Sequence, residues 1–184
     1  MKTDQATEQF TITPATKADV LGIGQAHLQA TREAYPNKDL GIDVAWINKQ
    51  YGFLVADKGN KFRQGTVRQS QVPNGNVLYL VVKNKQGKIC GFLHVERRKE
   101  DAYLAAIYLI EEARGSGVAQ TLMDRALTFA GDLPMTLSVA DYNQRAISFY
   151  EKYGFEKVPN SRKILKEKLP IIDMQRPLTG KVQI

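Results

Sequence analysis

With 184 residues, 43% of them hydrophobic and 24% charged, the chain has apolar side chains enough for one domain core and charge enough to coat it. A multidomain assembly, a fibre and a disordered chain are thereby excluded. No apolar run approaches the roughly 20 residues of a membrane span, a single cysteine allows no internal disulfide, and two histidines set no zinc spacing. The polar start from Met1 to Gln5 lacks the apolar stretch of a leader, so cytoplasmic residence is expected. The formal charge of +7 attracts polyanions, whether nucleic acid, an acidic membrane surface or a phosphate-rich cofactor.

In chain order, Phe10–Thr13 reads as a short strand ended by Pro14. Thr16 or Asp19 can cap the helix that follows, whose buried face is Val20, Leu21, Ile23, Ala26, His27 and Ala30 and which stops near Tyr35-Pro36-Asn37. Val44, Ala45, Ile47, Tyr51 and Leu54 give Ile42–Val55 a helix-compatible spacing, and the Gly, Lys and Gln-rich stretch beyond it reads as a loop ending at Pro73-Asn74-Gly75. Val77–Val82 and Lys88–Glu96 are β-rich runs around a turn-forming Lys83–Gly87, hence an antiparallel pair. Tyr103–Ile110 predicts a strand, Gly117–Ala130 a helix, Met135–Ala140 a strand, and Asn143–Tyr153 a helix stopped by Gly154. The basic stretch Lys157–Lys168 reads as a solvated loop, and Ile171–Met174 as a returning last strand. No repeat or linker interrupts this order, so residues 1–184 are expected to form one α/β domain, a hairpin meander feeding a βαβα unit on a mixed (α+β) sheet.

The stretch richest in chemistry is Tyr103–Gln120, a strand that runs through a glycine-containing turn into a helix. Gly115 and Gly117 let backbone N–H groups converge at the positive end of a helix dipole, which makes a phosphate cradle, although an isolated Gly-x-Gly serves as readily in a plain turn. A Rossmann site competes, with Asp141 at the end of the next strand as the ribose acid. Against it, Gln120 stands where a third glycine belongs, and Glu111–Arg114 separates strand from glycines. No Gly-Lys-Ser/Thr supports a P-loop. Cys90, in the apolar run Lys88–Leu93, reads as a small buried hydrophobe.

Arg114-Gly115-Ser116-Gly117-Val118-Ala119 resembles the Arg/Gln-x-x-Gly-x-Gly/Ala signature of the GNAT N-acetyltransferase superfamily, and Asn143–Phe155, ending in Phe149-Tyr150-x-x-x-Gly154-Phe155, resembles the helix after that family's fifth strand. The likeness is specific over about residues 103 to 155 and extends before them only in element order. It implies a central mixed sheet of about six or seven strands flanked by about four helices, with strands four and five splayed, and acetyl-CoA as acyl-donor cosubstrate.

The resemblance implies that Ile107, Tyr108 and Leu109 pair with the pantetheine arm through their backbone. Arg114, Gly115, Ser116, Gly117, Val118, Ala119 and Gln120 would hold the pyrophosphate, mainly through N–H groups, with Arg114 either adding a charged contact or standing as an exposed loop arginine. Asn143 would touch the pantetheine arm while also capping its helix. Tyr150 matches the general acid that protonates the leaving thiolate, a role a phenol near pKa 10 can fill, although Ala146, Ile147 and Tyr150 also share one core-facing helical face. Where relatives carry a glutamate base, this chain has Tyr103 and Ser138. Glu96, His94, Glu111 and Asp141 are near in sequence, but no base is assigned, and ordered water is the expected proton path. A backbone N–H near Leu109 would meet the oxyanion.

Three functions follow: an N-acetyltransferase acting on a primary amine of a small molecule or a protein by direct attack in a ternary complex; a non-catalytic acyl-CoA-binding module, suggested by the missing carboxylate; and, on charge, a nucleic-acid-binding protein. Trp46, Tyr35, Tyr51 and Phe53 either line the acceptor pocket or fill the core. Acceptor identity and oligomeric state stay open, homodimers being common in the family.

Overall fold

The structure, a computed structural model, describes residues 9–177. Strand β1 (Phe10–Pro14) ends at an edge position where proline's missing N–H costs no ladder bond. Thr16 then turns the chain, its backbone N–H and hydroxyl both donating to the Asp19 carboxylate at 2.8 and 2.7 Å, and Lys83 Nζ lies 2.7 Å from the same side chain. Helix α1 (Val20–Ala34) buries Val20, Ile23, Ala26 and Ala30. Leu21, expected on that face, is 50% exposed, because one residue past Val20 rotates it about 100° away. Helix α2 (Val44–Tyr51) starts on Asp43, whose carboxylate accepts from Trp46 N–H at 2.7 Å.

The stretch read as a loop after Val55 is instead helix α3 (Asp57–Ser70). Its buried stripe is Gly59, Arg63, Thr66 and Val67, which keeps helical spacing without an apolar signature. Arg63, only 4% exposed, donates from Nε to the Val20 carbonyl at 2.9 Å and from Nη2 to the Leu54 carbonyl and to Asn60 Oδ1. Strands β2 (Val77–Asn84), β3 (Ile89–Arg97) and β4 (Ala102–Leu109) form an antiparallel meander, followed by helix α4 (Val118–Ala130), strand β5 (Met135–Ala140) and helix α5 (Gln144–Glu151). The basic stretch after α5 is not all loop: short strands β6 (Glu156–Lys157) and β7 (Lys163–Leu165) both pair with β8 (Leu169–Arg176).

The described residues thus make an open mixed α/β sheet of eight strands in the order β1-β2-β3-β4-β5-β8-β6, with β7 on β8, and five α-helices. Only β4 and β5 run parallel, so a doubly wound dinucleotide sheet is not formed. Ile23, Leu93, Leu122 and Met135 are fully buried, each worth roughly 1.5–3 kcal/mol in water exclusion. Among the described residues no helix is long and apolar enough to cross a membrane.

Replacing Arg63 by Leu should strand the Val20 and Leu54 carbonyls and cost about 2–4 kcal/mol, read as a lower urea midpoint at unchanged slope. An unchanged midpoint would show that α3 is not held through this guanidinium.

Candidate active site

Parallel pairing of β4 with β5 is confined to Ala102↔Met135 and Tyr103↔Thr136. Beyond it, β4 stays on β3 as far as Gly91↔Leu109, and β5 stays on β8 through Ala140↔Ile171, so the two strands diverge. A bulge leaves Ala105 unpaired between Leu104↔Val95 and Ala106↔His94 and re-aims the rest of β4. A cleft of about 390 Å³ opens in the gap, walled by β4, β5, the C-terminal end of α1 and the start of α5.

Ile110 N–H donates to the Cys90 carbonyl at 2.9 Å. Strand alternation therefore turns the main-chain groups of Ile107 and Leu109 away from β3, toward the gap. Tyr108 turns its main chain into the ladder, so of the three residues expected to meet the pantetheine arm two present backbone groups to the cleft, while the Tyr108 side chain lines it. At the mouth, Gly115 and Gly117 adopt φ of +78° and +88°. A Cβ on Gly115 would meet nothing within 4 Å, so conformation and not space demands glycine there. Among the described residues the N–H groups of Gly115, Ser116, Gly117 and Ala119 have no partner, and they sit at the N-terminus of the 13-residue α4. Val118 is buried, with its N–H 3.4 Å from Ser116 Oγ, and Gln120 N–H is already bonded to the Gly117 carbonyl at 3.1 Å. Within the expected run Arg114–Gln120, the unpaired N–H groups are therefore those of Gly115, Ser116, Gly117 and Ala119.

Arg114 is neither a free loop arginine nor turned wholly to the cradle. Its Nη2 donates to Glu33 Oε2 at 2.6 Å and its Nε to the Leu109 carbonyl at 3.1 Å. Glu33 Oε2 also accepts the Glu111 N–H at 2.8 Å, so α1 braces the cradle loop. Sequence reasoning missed Glu33, which stands 81 residues from Arg114 with no local motif. It also missed Arg145, which lines the cleft two residues after Asn143. Asn143 caps α5, its Oδ1 accepting from Ala146 N–H at 3.2 Å, and lines the cleft as well.

Tyr150 is packed into the core and also borders the cleft. Its ring packs 5.8 Å from Phe155 and 5.6 Å from Phe149, while the residue borders the cleft. Burial, aided by Tyr35, pushes its phenol above the ordinary value, so it stays protonated at neutral pH. Of the aromatic candidates, Tyr35 shares a 2.7 Å hydrogen bond with the Tyr108 hydroxyl and accepts at its carbonyl from Tyr142 Oη at 2.6 Å. Tyr35 alone of the four lines the cleft; Tyr51 is buried, Trp46 packs against the α2 core, and Phe53 is 44% exposed. Cys90 is buried, and burial with nearby Glu112 lifts its thiol to about 11.

The residues weighed as a base, none of them assigned, are largely committed elsewhere. Tyr103 lies under the Arg98 guanidinium, Asp141 bonds Arg162 at 2.7 Å, and His94 sits 3.1 Å from Glu96. Ser138 lines the cleft and donates its hydroxyl to Asp173 Oδ1 of β8 at 2.5 Å. Among the described residues no cluster of His, Cys, Asp and Glu could hold a metal.

The acetyltransferase (GNAT) family model matches residues 23–155. A peptidyl-lysine N-acetyltransferase of Escherichia coli, YjaB, is 32% identical over 76 residues, covering 41% of this chain and 48% of the relative. An uncharacterized N-acetyltransferase of Mycobacterium tuberculosis is 35% identical over 81 residues, 42% of this chain and 52% of the relative. The chain thus spans about half the length of the curated relatives it matches. Among solved structures, the PaiA N-acetyltransferase of Thermoplasma acidophilum in complex with coenzyme A superposes with a TM-score of 0.64 at 19% identity, over 89% of this chain and 97% of that one. The apo form of Escherichia coli YjaB gives 0.60 at 17%, over 91% and 97%. At such identities the shared property is the fold.

His27, packed against Tyr108 and Phe92 at ring separations of 4.3 and 5.2 Å, supplies a pH test of this wall. Burial, with Arg63 adding to it, lowers its pKa to about 4. The unfolded chain takes up this proton near pH 6.5, so stability falls as pH falls from about 6.5 to about 4, by something of the order of 3 kcal/mol. In His27→Gln this part of the acid loss should vanish in urea melts across that range; an identical slope with pH would refute the assignment.

Proposed function

The chain belongs to the acetyltransferase (GNAT) family, and from that premise we propose that it transfers an acetyl group from acetyl-CoA to a primary amine, by direct attack in a ternary complex. The observation that carries this reading is the parting of β4 from β5, with unsatisfied main-chain groups along one wall of the gap and unpaired N–H groups at its mouth. A flexible amide-bearing arm fits the first and a pyrophosphate the second. Bound acetyl-CoA supplies an activated thioester; the remainder of the chemistry belongs to the protein.

In this reading Gly115, Ser116, Gly117 and Ala119 hold the pyrophosphate through N–H groups, and Arg145 adds a cation at the cleft rim. Ile107 and Leu109 hold the arm through main-chain groups, and Asn143 contributes its side-chain amide. Arg114 positions the loop through Glu33 instead of binding phosphate directly. Leu109 N–H faces the cleft and meets charge developing on the carbonyl oxygen. Tyr150, protonated, donates its phenolic proton to the departing thiolate. The acceptor to test first is a protein lysine, the substrate class named for the Escherichia coli relative, with small-molecule amines alongside. Residues 1–184 acting as one cytoplasmic domain, and assembly as a homodimer, belong to the same proposal.

A non-catalytic acyl-CoA-binding module is the second reading, favoured by one fact: Glu33, the carboxylate bordering the cleft, is spent on Arg114. The two readings part on Tyr150→Phe. As an enzyme, this variant should keep the acetyl-CoA-induced rise in unfolding temperature while the acetylation rate on a lysine peptide falls about 10²-fold. Wild type that is stabilised by acetyl-CoA but acetylates neither peptide nor small amine would favour the module. Gly117→Val should abolish the acetyl-CoA-induced rise, because a β-branched residue is strained at positive φ and crowds the cradle; an undiminished rise would place the phosphates elsewhere.

A further inference from the structure

Attack on a thioester requires a neutral amine, whereas an alkylamine near pKa 10 arrives as an ammonium ion. Its proton therefore needs an exit from the cleft. The phenols of Tyr35 and Tyr108 bond each other, and burial raises both well above their ordinary values, so both are already protonated and offer no basic site to the ammonium proton. Glu33 is turned to the glycine loop and to α1, with Oε2 taking Arg114 and the Glu111 N–H and Oε1 taking Gln29 at 2.9 Å, and among the described residues it takes no hydroxyl of the cleft.

One hydroxyl in the cleft leads directly to a carboxylate. Ser138 is paired with Asp173 across the β5–β8 ladder and bonds it at 2.5 Å. Ser138 is exposed in β5 between the buried Leu137 and Val139, two residues beyond the last β4–β5 pair, where the gap begins. Ala140 and Ile171, on the same face by strand alternation, pack under α1 and α2 with Leu28 and Tyr51. Ser138 and Asp173 thus belong to the α1/α2 side of the sheet. Asp173 is itself fixed: Lys163 Nζ donates to Oδ1 and Oδ2 at 3.1 and 3.0 Å, and its backbone N–H donates to Ser161 Oγ at 3.0 Å. Its side chain is 33% accessible, so a proton placed on it can pass to solvent.

We propose that Ser138 and Asp173 form the proton exit for the acceptor amine, with Ser138 the catalytic residue that touches the ammonium group and Asp173 a positioning and relay residue behind it. The ammonium N–H bond breaks as its proton passes to Ser138 Oγ, while the Ser138 hydroxyl proton passes to Asp173 Oδ1. A neutral amine, an intact serine and a protonated Asp173 remain, and Asp173 then releases its proton to water. This inference rests on the acetyltransferase reading and adds to it the group that activates the nucleophile.

The test uses two blocked peptides, one bearing lysine and one bearing a lysine analogue whose amine is fluorinated nearby, so that it is largely neutral at assay pH. Ser138→Ala and Asp173→Asn should lower kcat/KM on the lysine peptide about 10²-fold and on the weakly basic peptide less than tenfold. Both variants should keep the wild-type rise in unfolding temperature with acetyl-CoA, and Ser138→Ala, at an exposed position, guards against a folding defect in Asp173→Asn. Equal losses on the two peptides, or no loss in either variant, would overturn the relay while leaving the acetyltransferase reading intact. A wild-type protein that acetylates neither peptide nor any amine would remove that reading and this inference together.

Discussion

The site depends on two strands that begin as a pair and do not continue as one. An amide left without a partner away from water costs about 1–3 kcal/mol, so sheets rarely abandon a ladder. Here β5 has another strand to satisfy it: six consecutive residues, Met135 to Ala140, pair with β8. β4 is held equally firmly by β3, and the approach is close enough that a Cβ at Gly91 would collide with Leu109 and with the Tyr108 carbonyl oxygen. The bulge at Ala105 then turns β4 out of line with β5. What remains is a wet wall of main-chain groups, one of which, the Leu109 carbonyl, Arg114 already satisfies.

Helix α1 joins the two ends of this cleft. Glu33 holds Arg114 and the Glu111 N–H at the glycine loop, and Tyr35, one residue beyond the helix, holds the Tyr108 hydroxyl on the β4 wall. The Glu33 and Arg114 side chains are only 20% and 21% exposed, so water and salt screen the pair less than a rim ion pair, whose worth is about 0–1 kcal/mol. The geometry thus supplies a physical link between the glycine loop and the Tyr35–Tyr108 wall that neither loop nor strand provides alone.

What was legible in the sequence follows from which signals are local. Gly115 and Gly117, the apolar period of α4, the alternation in β5 and the capping Asn143 each act over a few residues, and each is where the spacing placed it. Helix α3 escaped because its buried stripe uses Gly59, Arg63 and Thr66 and relies on Val67 alone for apolar burial; the guanidinium does by hydrogen bonding what a leucine would do by packing. Strands β6 and β7 are two and three exposed residues long, too short for any period to show. The Glu33–Arg114, Tyr35–Tyr108 and Ser138–Asp173 contacts join residues 81, 73 and 35 positions apart. Only the folded sheet brings them together, so residue types could be named but their partners could not.

The same limit applies to the basic stretch after α5. A run of five cations between Lys157 and Lys168 invites a polyanion, yet most of these cations are occupied. Arg162 bonds Asp141, Lys163 bonds Asp173, Lys168 donates to the Gly41 carbonyl at 3.3 Å, and Lys166 donates to the Gln50 carbonyl at 3.1 Å while lying 4.8 Å from the Tyr51 ring centroid. The run ties the β7–β8 hairpin to the segments around α2. Arg162 and Lys163 have their charge offset locally by carboxylates, which weakens their attraction for a phosphate, whereas Lys166 and Lys168, on neutral carbonyls, keep theirs. Positive potential fixed in place and aimed at the cleft is found in the unpaired N–H groups at the N-terminus of α4.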